Sequence, residues 1–142
     1  MNSTDINDTH DLPALPLLAS KPARGFAAQA DDHIEHRLDL NQYVIKHPAA
    51  TFFVRAVGNS MHEVGILNGD LLVVDRALTP ENNSIVLAVL GGEFLVKRLR
   101  IIEGRSFLCS ANNKDKPISV ADVEGLQFWG VVTHAVHDVR AG

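Results

Sequence analysis

A chain of 142 residues is long enough for one domain with a real hydrophobic core and a short tail. A hydrophobic fraction of 46% suits an ordinary soluble globule, and a net charge of −4 leaves no electrostatic footprint for nucleic acid or an anionic membrane. Work near DNA would therefore go through a partner, and direct DNA binding is not expected. The single cysteine, Cys109, excludes an internal disulfide, and its apolar run Ser106-Phe107-Leu108-Cys109 reads as a small buried hydrophobe. The N-terminus shows no basic start followed by an apolar run, and no stretch approaches the ~18 apolar residues of a membrane span. The expected compartment is the cytoplasm, with no membrane contact.

Residues 1–30 carry Pro13, Pro16 and Pro22 among Asn, Asp, Ser and Ala in no clear period, the pattern of a flexible or extended arm. Residues 31–142 read as one β-rich domain. It opens with a helix predicted over Asp31 to Lys46, where Asp32 and Glu35 have capping-box spacing. Ile34, Leu38 and Ile45 fall near one face of that helix, and His47-Pro48 closes it. From Thr51 the residues turn β-branched and aromatic, predicting strands over Thr51–Val57 and, past the turn Asn68-Gly69-Asp70, over Leu71–Asp75. Gly91-Gly92 is a tight hairpin signal between Ile85–Leu90 and Glu93–Ile102. Phe107–Ser110 and Gln127–Val136 are further strands. The expected fold is mostly β: a compact antiparallel domain with a short N-terminal helix and the arm.

Two residues in this frame carry chemistry. In an extended strand Lys97 shares its face with Leu95, Leu99 and Ile101, while Val96, Arg98 and Arg100 take the other, wetter side. A lysine among apolar neighbours must be paired, snorkel outward, or lose its charge. In water roughly one lysine amine in a few thousand is neutral at pH 7, and burial raises that fraction toward a usable base. Ser60 follows a strand and Gly58-Asn59. Ser60-Met61-His62-Glu63 fits a capping box, which would make Ser60 a helix start only. The other reading is a nucleophile exposed on a tight turn, with the backbone N–H groups of Ser60 and Met61 available to an oxyanion. A serine needs a base to become a nucleophile. His62, with Asp70 or Asp75 to orient it, sits at an awkward spacing of two residues. The Ser–Lys pair is an established variant of triad chemistry. The seven histidines show no zinc spacing with Cys109, so neither a metal nor any cofactor is expected.

Gly58-Asn59-Ser60-Met61, Gly65-Ile66 and Gly69-Asp70-Leu71-Leu72-Val73-Val74-Asp75 resemble the serine box of the LexA/UmuD self-cleaving family. Gly92-Glu93-Phe94-Leu95-Val96-Lys97-Arg98-Leu99 resembles its lysine box. Asp39-Leu40-Asn41-Gln42, His47-Pro48 and Thr51-Phe52-Phe53-Val54-Arg55-Ala56 look like the run into the UmuD domain. Phe128-Trp129-Gly130-Val131-Val132-Thr133-His134 looks like its closing strand. The resemblance implies a LexA/signal-peptidase-like β fold, Ser60 as nucleophile, Lys97 as its neutral-lysine base, and hydrolysis of one bond in the protein's own arm. It also implies stimulation by a RecA–single-stranded-DNA filament and a homodimer. The trimmed form would join a UmuC-like polymerase for lesion bypass in the SOS response. The short arm favours the UmuD branch over repressors with an N-terminal DNA-binding domain.

One departure stands out. The family's cut follows a small residue and precedes Gly, whereas the aligned bond here is Arg24-Gly25. Gly25 lets the backbone approach closely, but Arg24 does not suit a pocket shaped for a small apolar group. Ala23-Arg24 and Ala27-Ala28 are other bonds within reach. Two rival readings remain: a non-cleaving dimeric module that docks or regulates a polymerase, and a phage or plasmid regulator without its DNA-binding half. The acidic charge argues against the regulator.

Overall fold

The computed structural model of the chain describes residues 14–18, 34–112 and 114–140. Its contacts divide the chain into two units, Met1–Tyr43 and Val44–Gly142. In the first, β1 (Leu15–Leu18) pairs antiparallel with β2 (Ile34–Leu38), placing Leu15 opposite Leu38 and Leu18 opposite Ile34. Part of the segment read as an arm is thus a strand. The helix expected over Asp31 to Lys46 shrinks to α1 (Leu40–Val44). Asp39 explains where it starts: its Oδ1 accepts the amides of Asn41 (3.0 Å) and Gln42 (3.4 Å), and its carbonyl accepts the Tyr43 amide at 3.0 Å. Asp39 therefore caps the helix, and the residues N-terminal to it are taken by the β1–β2 ladder instead.

The second unit is built on an antiparallel sheet in the order β3-β4-β9-β5-β6-β7-β8 among the described residues. These strands are β3 (Thr51–Arg55), β4 (Leu71–Asp75), β5 (Ile85–Leu90), β6 (Glu93–Ile102), β7 (Arg105–Cys109), β8 (Ile118–Ser119) and β9 (Gln127–Val136). Four of them, β4, β5, β6 and β9, have the bounds expected from sequence. Gly91 and Gly92 have φ of 60° and 80° and join Leu90 to Glu93, the left-handed pair a two-residue hairpin turn requires. Glu103 (φ 51°) and Gly104 (φ 77°) make the same kind of turn between β6 and β7. The sequence reading passed over this second turn, because it offers one glycine rather than two.

The sheet is covered on both faces near its centre. Leu72, Val74 and Leu87 pack with Ala56, Met61, Ile66 and Ala111 on one side. Val86 and Ala88 pack with Leu99 and Leu108 on the other. β5 contributes to both clusters because neighbouring residues of a strand point to opposite faces. The double covering also corrects the expectation for β6. Val96 packs against the first cluster, and Arg98 and Arg100 are half-buried rather than wet, with Arg100 Nε buried and unpaired. At Gly130 a Cβ would lie 2.7 Å from Val74 Cγ1 and 3.1 Å from the Asp75 carbonyl oxygen, so β9 crosses β4 at a distance that excludes a side chain.

Two buried carboxylates tie the ends of β4. Asp70, 1% exposed, accepts the Leu67 amide at 2.9 Å and meets His137 Nδ1 at 2.7 Å. Asp75, 4% exposed, accepts the Ala77 amide at 2.8 Å and meets His47 Nδ1 at 2.6 Å. Burial pushes the Asp75 carboxyl up, but the hydrogen bond from His47, the Ala77 amide and the His47 charge outweigh it and hold it below its ordinary value. A carboxyl depressed in the folded state adds stability above its unfolded pKa of about 3.9 and loses it as pH falls through the folded value. Urea midpoints of the wild type and Asp75→Asn are therefore expected to differ at about pH 6 and to converge toward about pH 3. Parallel curves over that range would remove Asp75 from the acid sensitivity.

Candidate functional site

Ser60 lies between the end of β3 and a 3₁₀ turn, His62–Val64. That turn carries no side-chain cap, so the capping-box reading of Ser60-Met61-His62-Glu63 does not hold. The Ser60 hydroxyl is left for other work. Gly58 (φ 87°) bends the chain out of β3, and its amide is held by Asn68 Oδ1 at 2.8 Å. Met61, 3% exposed, sinks into the first core cluster and fixes the turn beneath Ser60.

Lys97 sits on β6 opposite the fully buried Val86 of β5. β7 pairs only with residues 98–102 of β6. Residues 93–97 therefore have β5 on one side and, among the described residues, no strand on the other. Along this open edge runs a cleft of about 290 Å³. It is lined by Val54 to Gly58, Ser60, Met61 and Ile66 together with Phe94 to Lys97. Trp129 stands edge-on to Phe94 at 5.5 Å and to Phe52 at 6.3 Å, which steadies the Phe94 rim. The two residues singled out by sequence, 37 positions apart, thus line one cavity.

What joins these segments is the chain just beyond β7. Ala111 donates its amide to the Ser60 carbonyl at 2.6 Å and accepts the Glu63 amide at 3.1 Å. The residue before it, Ser110, takes the lysine: Lys97 Nζ donates to Ser110 Oγ at 2.6 Å. Ser110 Oγ–H in turn donates to Asp115 Oδ2 at 3.0 Å. Sequence reading did not single out these three residues. The Glu103-Gly104 turn holds the signal, because it sets Ile102 opposite Arg105 and Arg98 opposite Cys109. Ser110 is the next residue after Cys109, within reach of Lys97 just beyond the ladder's end.

The other candidates are not brought together. His62 is exposed on the 3₁₀ turn, and the acids considered for it are engaged elsewhere, Asp70 with His137 and Asp75 with His47. Cys109 is half-buried and pairs across the ladder with Arg98, on the face of β6 opposite Lys97. Arg24, Gly25 and the neighbouring candidate bonds lie outside the described residues. Among the described residues no group of three His, Cys, Asp or Glu side chains has metal-site geometry, and no helix is long and apolar enough to cross a membrane.

Residues 16–133 match the family model described as Peptidase S24-like. The chain is 46% identical over 125 residues to Protein ImpA of Salmonella typhimurium, covering 88% of this chain and 85% of that protein. It is 40% identical over 125 residues to Protein MucA of Escherichia coli, covering 87% and 84%. The LexA repressor of Hahella chejuensis is 36% identical over 115 residues, 77% of this chain and 57% of the repressor. With the serine and lysine boxes lining one cleft, and with likeness on this scale across most of its length, the chain belongs to the Peptidase S24-like family, on the UmuD-like side of the LexA/UmuD group.

Proposed function

We propose that this protein is a serine–lysine endopeptidase that cuts its own N-terminal arm, at Arg24-Gly25. The observation that carries the reading is the shared cleft, lined by both Ser60 and Lys97. The arm enters the cleft in extended form, beside the unpaired edge of residues 93–97, where main-chain hydrogen bonds hold a strand whatever its sequence. Neutral Lys97 takes the Ser60 hydroxyl proton as Oγ attacks the scissile carbonyl, forming a tetrahedral oxyanion. The amides of His62 and Glu63 are committed to the Asn59 and Ala111 carbonyls. Those of Ser60 and Met61 remain for the oxyanion. Lys97 then gives its proton to the leaving amine, and water releases the acyl group from Ser60.

In the cell, a RecA–single-stranded-DNA filament stimulates the cut. The trimmed homodimer then serves a UmuC-like polymerase as accessory subunit in SOS mutagenesis. The net charge of −4 fits a protein that reaches DNA through such partners. Exposed Phe53, Phe94, Phe128 and Val136 supply apolar surface for them. Intact-mass spectrometry after incubation at about pH 10, where far more of any lysine amine is neutral than at about pH 7, is expected to show one cut that leaves a 118-residue product (142 − 24). An uncut chain, at this pH and with RecA filaments added, would transfer the case to the non-cleaving docking module.

A further inference from the structure

Resting on the serine–lysine reading, we infer that Ser110 is a positioning residue for Lys97, with Asp115 fixing the direction of its hydroxyl. The neutral amine that acts as base has two N–H bonds and one lone pair. Its lone pair must face the Ser60 hydroxyl, and a four-carbon stem does not enforce that alone. Ser110 supplies the constraint. It follows Cys109, the ladder partner of Arg98, and its Oγ accepts from Nζ at 2.6 Å. A hydroxyl with a free rotor would instead donate its proton to the amine lone pair, the better acceptor, and occupy the base. Asp115 prevents this by taking the Ser110 proton at 3.0 Å. Ser110 then acts toward Lys97 as acceptor only, and the lone pair stays open. The only proton moved in the attack goes from Ser60 Oγ to Lys97 Nζ, and none passes through Ser110.

Ser110 and the residue after it also set distance. Ala111, next to Ser110, holds the Ser60 carbonyl and the Glu63 amide, so base and nucleophile are referenced to one dipeptide. Ala111 is 7% exposed and packed in the first cluster, which anchors that dipeptide to the core. Arg55 of β3 lines the same cleft, β5 presents Val86, and Arg98 and Cys109 occupy the opposite face of the β6–β7 ladder. Asp115 is the carboxylate that reaches the lysine, and it does so through Ser110.

The test is the pH–rate profile of self-cleavage for full-length wild type, Ser110→Ala, Ser110→Thr, Asp115→Ala and the Ser110→Ala/Asp115→Ala pair, with thermal unfolding of each. Ser110→Ala is expected to lower the alkaline plateau by about 10-fold or more, since it loses orientation that more base cannot restore. Ser110→Thr keeps the hydroxyl and restores most of the rate. Asp115→Ala lowers the plateau by less, and the pair is no slower than Ser110→Ala alone, because Asp115 acts through Ser110. Removing the Asp115 charge by itself would only move the midpoint of the profile, so the plateau is the deciding quantity. A folded Ser110→Ala with the wild-type profile overturns the inference. Should Ser110→Ala fail to fold, Asp115→Ala at the wild-type plateau overturns it instead. A wild type that never cuts, or a Lys97→Ala that cuts like wild type, defeats the serine–lysine reading itself.

Discussion

Lys97→Ala is expected to slow self-cleavage by about 10²-fold to 10⁴-fold, and Ser60→Ala to abolish it. The asymmetry follows from the two roles. Without Ser60 no acyl-enzyme forms, and the cleft becomes a place where the arm binds and nothing else happens. Without Lys97 the hydroxyl is still aimed at the carbonyl and the oxyanion still meets its amides, so hydroxide at high pH recovers part of the rate. Lys97→Ala should therefore gain more from alkali than the wild type does at the upper end of the range. The wild-type rate should rise with pH, because the mechanism uses the neutral form of the amine. The measurement is intact-mass spectrometry over a time course at each pH. A flat wild-type profile would dispose of the lysine as base, and a product from Ser60→Ala would dispose of the serine as nucleophile.

His62→Ala makes a useful companion to these variants. His62 is exposed, and both acids considered as its orienting partner are held by other histidines. Loss of cleavage in a folded His62→Ala would revive a chemistry that the arrangement of Asp70 and Asp75 argues against.

How legible the molecule is in its sequence depends on where the information is stored. Strands β4, β5, β6 and β9 could be read because each is a β-branched or apolar run closed by turn residues, and local patterning suffices for that. The segment around Ile34–Leu38 was misread because Ile34 and Leu38 lie four apart, the spacing of one helical face. Only its long-range partner Leu15–Leu18 makes it a strand. Ile118–Ser119 went unseen because two residues carry no period. The wet face assigned to Arg98 and Arg100 failed for a tertiary reason: β6 lies inside a sheet with a core on each side. For the candidate site, motif and strand parity point to Ser60 and Lys97, which line one cavity. The residues that hold them, Ser110, Ala111 and Asp115, lie just past the end of the β6–β7 ladder and belong to no motif. Register is countable only once the Glu103-Gly104 turn is recognised.

Arg24→Ala is expected to speed the cut by about 10-fold to 100-fold, the second large effect and the one opposite in sign. The cleft's lining explains why. Beside Ser60 its side chains are Val54, Ala56, Val57, Met61, Ile66, Phe94, Leu95 and Val96, with Arg55 and Lys97 as its two basic groups and no carboxylate. A guanidinium before the scissile bond meets apolar surface that cannot solvate it and the Arg55 cation that repels it. Alanine removes both costs and keeps Gly25, whose missing side chain lets the backbone come close to Ser60. Arg24→Glu separates the contributions: it keeps the desolvation cost but turns repulsion by Arg55 into attraction, so it should fall between wild type and Arg24→Ala. Cleavage is followed by intact mass, with Ser60→Ala in each background as the blank. The mass of the product also says whether the bond is Arg24-Gly25, Ala23-Arg24 or Ala27-Ala28. A gain for Arg24→Ala at Gly25 would mean working machinery slowed by its own substrate residue. Cutting at Gly25 that is no faster in Arg24→Ala would mean that Arg24 points out of the cleft, and that the slow step lies in bringing the arm to Ser60.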